Sequence, residues 1–427
     1  MKSTLAGDVV DEERESLLAE AKVLKEKITK VEAEEAALDE EMRELALQLP
    51  NTTHPDTPIG DKPKLLGYIN ENLLPAPPET LDPSVNPLPG NTKSHIQIGS
   101  ELHLLDFSAA ATVSGWGWYY LMNEAVLLEQ ALINYALHLA VQQGWQLVTP
   151  PSIVYSHIAA ACGFKPRDQS GEQQIYTLQQ PARHQGTKPE LSLAGTAEIP
   201  LAGMYANKVF SEDELPLKVV GVSRCYRAEA GARGVESKGL YRVHEFTKVE
   251  MFAWALPDPA PATPTDPATS GAEATPKKPT PTPAEKVFAE MLQFQTSLLT
   301  SLNLPLRILS MPSADLGAPA SNKIDIEAYM PSRHTTSTGP WGEVSSLSNC
   351  LDYQSRRLNT RVRMKGNVGP DKKKMEFPAT LNGTAVAVPR VLLAILENGW
   401  DKDVQGVVVP EVLRTWMGGM AVIKKKH

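Results

Sequence analysis

Leucine and valine recur at every seventh residue through Leu17, Leu24, Val31, Leu38 and Leu45, and a second series (Ala21, Ile28, Glu35, Met42 and Leu49) falls between them. Two interleaved series of this kind are the a and d positions of a coiled-coil heptad, interrupted here only by Glu35, with Glu, Lys and Ala filling most other places. The spacing predicts one helix from Leu17 to Leu49, roughly 50 Å long at 1.5 Å per residue, and Pro50 with Asn51 ends it. An apolar seam needs a partner, and the 16 residues before Leu17 are too few for an antiparallel mate. A solvated helix docked on a domain is the plainer alternative. The sustained 3.5-residue period favours a coiled-coil arm.

A second helical pattern spans 121–143 and stops at Gly144, and the following WQLVTPP predicts a short strand closed by Pro150 and Pro151. Strand-like runs recur at 191–193, 218–227, 240–254, 306–310, 323–330 and 341–347, and a last helix at 389–398 follows LNGTAVAV. Strands outnumber helices and do not alternate with them regularly. The expected class is α+β: an antiparallel sheet flanked by helices, preceded by an arm helix.

Composition sets the boundaries. Residues 51–95 are rich in proline (Pro75, Pro77, Pro78, Pro83, Pro87, Pro89) and are expected to be an irregular connector between the arm at 1–50 and a domain at 96–427. Nine prolines among Ala, Thr and Asp at 257–283 mark a low-complexity insert that interrupts that domain without dividing it. With 42% hydrophobic and 22% charged residues the chain is an ordinary globular protein, and 427 residues exceed one core. No apolar run approaches the ~18 residues that span a bilayer. The acidic N-terminal stretch lacks the apolar segment of a secretory signal and the arginines of a transit peptide. Cys162, Cys225 and Cys350 lie far apart and make no CxxC pair, which argues against a disulfide scaffold or a structural zinc site. A net charge of −8 excludes a broadly basic nucleic-acid binder but not a local basic patch.

The densest chemistry lies at 223–252, SRCYRAEAGARGVESKGLYRVHEFTKVEMF. Arg224, Arg227, Arg233, Lys238, Arg242, His244 and Lys248 mingle there with Glu229, Glu236, Glu245 and Glu250. Two strand-like halves around a glycine-containing loop predict a hairpin with Tyr226 on one face and Arg227 and Glu229 on the other. An arginine so placed suits bidentate recognition of phosphate or carboxylate, and a salt-bridged exposed face is the bland alternative. Neither a G-x-G-x-x-G nor a P-loop sequence occurs.

The segment CYRAEAG…GLYRVHEFTKVE resembles motif 2 of the class II aminoacyl-tRNA synthetases, and specifically that of the seryl-tRNA synthetases. Three further segments fit the same family in order: GTAEIPLAG (195–203) its serine-binding loop, EVSSLSNCLDYQSRR (343–357) its E-[IV]-S-S segment, and LNGTAVAVPRVLLAILENGW (381–400) its motif 3. GWQLVTPP (144–151) fits motif 1, whose proline sits at a dimer interface in the family. The resemblance covers roughly residues 17–427. It implies a class II catalytic domain that activates L-serine with ATP and transfers it to tRNA-Ser, works as a homodimer, and carries a coiled-coil tRNA-binding arm.

Carried over position by position, it implies Arg227 as the bridge between α-phosphate and serine carboxylate, and Arg390 as the γ-phosphate clamp. Arg227, Ala228 and Glu229, with Val243, His244, Glu245 and Phe246, form the adenine and α-phosphate part; Glu229 meets the adenine amino group and Phe246 stacks on the ring. Glu343, Val344, Ser345 and Ser346 continue the ATP site, and Glu343 and Ser346 hold Mg²⁺, a hard ion suited to oxygen ligands. The serine pocket comprises Thr196, Ala197, Glu198, Arg227, Glu250, Asn382 and Thr384. Its acids suit the ammonium, and Asn382 and Thr384 suit the hydroxyl. Taken singly, Thr196 reads as a capping residue and Asn382 as a turn residue before Gly383.

Departures from the family pattern carry expectations of their own. The family arm has two antiparallel helices and this stretch supplies only the second, so a longer natural N-terminus with any targeting segment is expected. Pro389 stands where glycine is common, Lys238 where arginine is frequent and Glu245 where glutamine is frequent. Bacterial-type motifs combined with an added insert point to an organellar enzyme, fungal mitochondria first and the cytoplasm second. A paralogue with altered catalysis and a ligase acting on a carrier protein are the rival readings. The zinc-dependent archaeal variant is set aside because no cysteine is expected near Thr196–Glu198 or Asn382. The basic run from Arg356 to Lys374 is expected as a solvated loop or a contact to tRNA phosphates.

Overall fold

The structure is a computed structural model that describes residues 2–75, 77, 93–164, 174–229, 239–258, 280–333, 339–365 and 374–425. Arg233, Glu236 and Lys238, most of the 257–283 insert and part of the 356–374 run lie outside these residues. The chain divides into two units, Met1–Pro50 and Asn51–His427.

The first unit is a single helix, α1 (Lys2–Gln48), which begins well before Leu17 and is about 70 Å long. It stops where Pro50 removes a backbone donor. Leu17, Leu24, Ile28, Val31, Leu38, Met42 and Leu45 are all exposed along it, because one helix offers its own seam nothing to pack against. Arg43 with Glu40 at 2.6 Å and Lys30 with Glu34 at 3.9 Å lie on the surface, where solvent screens such helical pairs.

The second unit is built on an eight-stranded sheet: β1 (Lys64–Ile69), β2 (Gln146–Val148), β3 (Leu217–Tyr226), β4 (Glu245–Ala255), β5 (Leu306–Ser310), β6 (Asn322–Tyr329), β7 (Trp341–Asn349) and β8 (Ala379–Ala387). Their order is β1-β5-β6-β7-β8-β4-β3-β2. Every pair is antiparallel except β2 with β3. Five helices matter for the site: α2 (His95–Glu101), α3 (Glu124–Gln142), α4 (Glu198–Gly203), α5 (Pro283–Ser301) and α6 (Val388–Asn398).

Alternation along β4 explains the layering. Val249, Met251 and Ala253 enter the main core with Leu128 and Leu132 of α3, Met291 and Phe294 of α5, and Leu392 and Ile395 of α6. Phe252 and Trp254 point the other way, into a smaller core with Ile199 and Leu201 of α4. Between these coverings the second face of the sheet stays open, and Phe246, Lys248 and Glu250 lie on it.

Two bulges adjust this face. In β7 the register moves from Ser345↔Ile326 to Glu343↔Glu327, leaving Val344 as the extra residue. In β8 it moves from Thr384↔Glu250 to Val386↔Val249, leaving Ala385 extra, so Ala385 and Val386 both enter the main core.

Three boundaries differ from the sequence reading. The run 240–254 is a strand only from Glu245, because the preceding residues form the return of the motif 2 loop. The helix expected at 121–143 starts at Glu124. Lys64–Ile69 is an edge strand and not irregular connector. The preceding segment is pinned to the sheet unit: Asn51 Nδ2 donates to the carbonyls of Pro319 and Cys350 at 2.8 Å each, and Thr57 Oγ1 donates to that of Ser321. Proline content signals a lack of helix, not a lack of docking. No helix among the described residues is long and apolar enough to cross a membrane.

Candidate active site

Pro389 stands in the first turn of α6, where its missing N–H and fixed φ fit, and it delivers Arg390 to the open face. Arg390 Nε donates to the Tyr241 carbonyl at 3.1 Å, and Nη1 donates to Glu343 twice, to its carbonyl at 3.0 Å and to Oε2 at 3.1 Å. The guanidinium also lies 4.7 Å from the Tyr241 ring centre, while the Tyr241 hydroxyl accepts from the Glu343 amide at 3.2 Å. Burial would raise the Glu343 carboxyl, but Arg390, Lys323 and Arg227 outweigh it and hold the group well below the usual carboxylate range. Beside it Lys323 pairs with Asp325 at 2.8 Å. Burial first and Glu343 second push Asp325 up.

The other end is acidic. Glu198, in the first turn of α4, accepts from Gln354 Nε2 at 2.6 Å and from Asn382 Nδ2 at 3.0 Å. Glu250 accepts from Thr384 Oγ1 at 3.2 Å and pairs with Lys248 at 2.6 Å. Thr384 and Glu250 are direct cross-strand partners. Burial and the neighbouring Glu250 raise Glu198 to about 7, against the pull of Lys248, Gln354 and Arg227. Arg227 stands between the ends, its Nε donating to the Gly195 carbonyl at 3.4 Å and its guanidinium 5.3 Å from the Phe246 ring centre.

One cavity brings together Arg227, Glu229, Val243, Phe246, Glu343, Val344, Ser346, Thr384 and Arg390. Glu343 and Ser346 are three residues apart, a spacing that regular alternation would send to opposite faces. The bulge at Val344 puts both on the cavity. Other candidates lie off its wall. His244 is held by the Arg227 carbonyl at 3.0 Å and the Tyr176 hydroxyl at 3.1 Å, and Glu245 turns to the opposite face and pairs with Arg224 at 2.8 Å. Ser345 Oγ donates to the Thr384 carbonyl at 2.6 Å. Thr196 Oγ1 accepts the Glu198 amide at 3.3 Å, while buried Ala197 packs in the smaller core and Ala228 bonds through its amide to Gln174. Asn382 is no turn residue: it sits inside β8, opposite Phe252.

The expectation that no cysteine is near Asn382 fails. Cys350 follows β7, which lies beside β8, and its Sγ is 3.4 Å from Asn382 Oδ1. Burial pushes the thiols of both Cys350 and Cys162 well above their ordinary values, which disfavours the thiolate that zinc requires. No group of three or more His, Cys, Asp or Glu among the described residues is arranged to hold a metal. The sequence motifs assigned no site role to Lys248, Tyr241, Lys323 or Gln354. Of these, Lys248 was recoverable, since it lies two residues from Glu250 on one strand and must share its face.

A profile of the tRNA synthetase class II core domain (G, H, P, S and T) matches residues 176–267. The chain is 43% identical over 407 residues to "Serine--tRNA ligase, mitochondrial" of Saccharomyces cerevisiae, an alignment covering 95% of this chain and 79% of the relative. It belongs to the serine–tRNA ligase family. Membership extends to bacterial relatives: the "Serine--tRNA ligase" of Rhodopirellula baltica is 39% identical over 96% of this chain and 84% of its own. Among solved structures, the seryl-tRNA synthetase of Pyrococcus horikoshii complexed with ATP superposes with a TM-score of 0.77 at 31% identity, covering 96% of this chain and 84% of that one. The family thus accounts for the class II sheet and for the order of the four sequence segments along it.

Proposed function

We propose that this chain is a serine–tRNA ligase, in which a serine carboxylate oxygen bonds to the α-phosphorus of ATP as pyrophosphate leaves with the bond's electron pair. The seryl-adenylate then esterifies a hydroxyl of the terminal adenosine of tRNA-Ser, and AMP departs. One observation carries the reading. Arg227 lines one cavity with Thr384 and with the Arg390–Glu343 pair, and Thr384 in turn donates to the buried Glu250.

Each role follows from charge and reach. Glu198 and Glu250 hold the serine ammonium, and Thr384 with Asn382 takes its hydroxyl. Arg227 offsets the repulsion between carboxylate and α-phosphate and stabilises charge growing on the phosphate oxygens. Arg390 anchors the departing phosphates, with Phe246 and Glu229 on the adenine side. Glu343 and Ser346 fit Mg²⁺: one ionised carboxylate and one hydroxyl on a shared face are the sparse oxygen set this ion takes when phosphates and water complete its shell. When bound there, it neutralises phosphate charge.

Two further readings rest on the same chain. Ile153, Tyr155 and Met204 are about half exposed around a broad apolar hollow beside Pro150 and Pro151, which supports a homodimer through this face. The yeast mitochondrial relative supports an organellar home. The test is serine-dependent ATP–pyrophosphate exchange, with alanine and threonine as controls, beside charging of tRNA-Ser. Exchange with serine that Arg227→Ala abolishes is expected; exchange independent of Arg227 sinks the assignment.

A further inference from the structure

Behind the cavity wall two buried side chains meet. His95 opens α2, and its ring Nδ1 lies 2.7 Å from Glu397 Oε1, while its own backbone N–H donates to the same oxygen at 2.9 Å. Glu397 Oε2 accepts the Ser332 N–H at 2.9 Å. The remaining ring nitrogen, Nε2, faces the Leu240 N–H at 3.2 Å. A backbone amide only donates, so Nε2 carries the lone pair and Nδ1 the proton that goes to Glu397. His95 is 3% exposed and Glu397 6%, so water cannot take either place. Packing is equally tight: Gly239 has φ +68°, and a Cβ there would stand 2.0 Å from His95 Nε2.

What this pair holds is the approach to Tyr241. Leu240 precedes Tyr241, whose carbonyl, ring and hydroxyl engage Arg390 and Glu343. Glu397 lies on the same helix as Arg390, about two turns further on. The segment 239–241 is therefore fastened to α6 at both ends, by Arg390 directly and by Glu397 through His95.

We infer that His95 and Glu397 are positioning residues for the ATP end of the site: they set where Tyr241 stands, and through it the directions of Arg390 and Glu343. The inference deepens the ligase reading and rests on it. The serine pocket is built from other segments (Glu198 of α4, Glu250 of β4, Asn382 and Thr384 of β8), so disturbing the pair should reach ATP and spare serine.

The experiment is pyrophosphate exchange by the full chain with ATP and serine varied separately. His95→Asn keeps a donor toward Glu397 but loses the acceptor for Leu240. It is expected to raise KM for ATP about tenfold, the worth of one hydrogen bond, with KM for serine within about twofold. His95→Gln can present an oxygen to the Leu240 amide and should restore most of the ATP affinity. Gly239→Ala should reproduce the His95→Asn pattern by displacing the ring. KM does not depend on the active fraction, so partial unfolding leaves the comparison intact. Equal shifts for both substrates, unchanged values in His95→Asn, or loss of folding in all three variants would overturn the inference. An unsubstituted chain without serine-dependent exchange would instead overturn the ligase reading itself.

Discussion

The side-chain amide of Asn382 donates to Glu198 Oε2 at 3.0 Å, and Cys350 fixes which way that amide faces by standing 3.4 Å from its oxygen. A carboxyl so enclosed, with Glu250 as a neighbour, titrates near neutrality: Glu198 is raised from an ordinary 4.5 to about 7. The folded chain therefore prefers the neutral acid. That contribution to stability is complete below the ordinary value and is lost as pH rises through about 7. A serine ammonium prefers the carboxylate, so binding should release a proton and weaken as pH falls. KM for serine in pyrophosphate exchange is expected to be roughly tenfold higher one unit below that value than well above it. Glu198→Gln should flatten the profile; a slope that persists in this variant assigns it to another group.

Thr384→Val removes a buried hydroxyl from Glu250 while Lys248, 2.6 Å away, keeps that carboxylate paired. The fold should survive. The preference for serine over alanine is expected to fall by about tenfold or more, because the pocket no longer offers a polar partner that alanine leaves unused. KM for ATP measured in the same exchange assay should stay put, and a matching loss for ATP would remove Thr384 from the serine pocket.

Glu343→Gln strips Arg390 of its ionic partner at 3.1 Å. We expect kcat/KM for ATP to drop by roughly a hundredfold, as for other pre-set charged groups facing a transition state, and the half-saturating Mg²⁺ concentration to rise. Glu343 is held well below the usual carboxylate range, so it should contribute no acid limb to the wild-type rate between pH 5 and 9. An unchanged Mg²⁺ requirement would place the ion elsewhere.

Much of this architecture was legible because it obeys a simple period. Apolar spacing and Gly144 mark α3, and alternation along β4 separates Val249, Met251 and Ala253 from Phe246, Lys248 and Glu250. Helix α5 carried an unread signal, since Thr282, Pro283 and Glu285 form a capping box with proline in the first turn. Other features break the period or cross the sheet. The bulge at Val344 makes neighbours of Glu343 and Ser346 against alternation. Cys350 and Asn382 meet only because β7 and β8 are adjacent, and strand order is not written in either segment. Tyr241 gains its role from a loop return whose shape depends on His95, far away in the chain.

The residues that line the cavity belong to the Asn51–His427 unit. Deleting residues 2–50 is therefore expected to leave serine-dependent exchange within about twofold while charging of tRNA-Ser falls by an order of magnitude or more, as losing a separate binding module would. Charging of tRNA-Ser that survives the deletion would remove the arm from tRNA binding.

The extra residue in β8 bears on how the two substrates are spaced. Thr384 belongs to the amino-acid end and Arg390 to the phosphate end, and only Ala385 to Pro389 separate them. With Ala385 and Val386 both turned inward, Ala387 and Pro389 reach the cavity. Exchanging any of these side chains for one of similar size would preserve that span. Removing Ala385 would take out the bulge and leave Ala387 opposite Lys248, whereas removing Ala387 would pull Val388 into its place and draw the start of α6 back along the strand. Beyond the bulge the stretch behaves as a ruler whose markings can be repainted but whose length cannot change: substitutions here should grade activity, and a single-residue deletion between Val386 and Arg390 should end it.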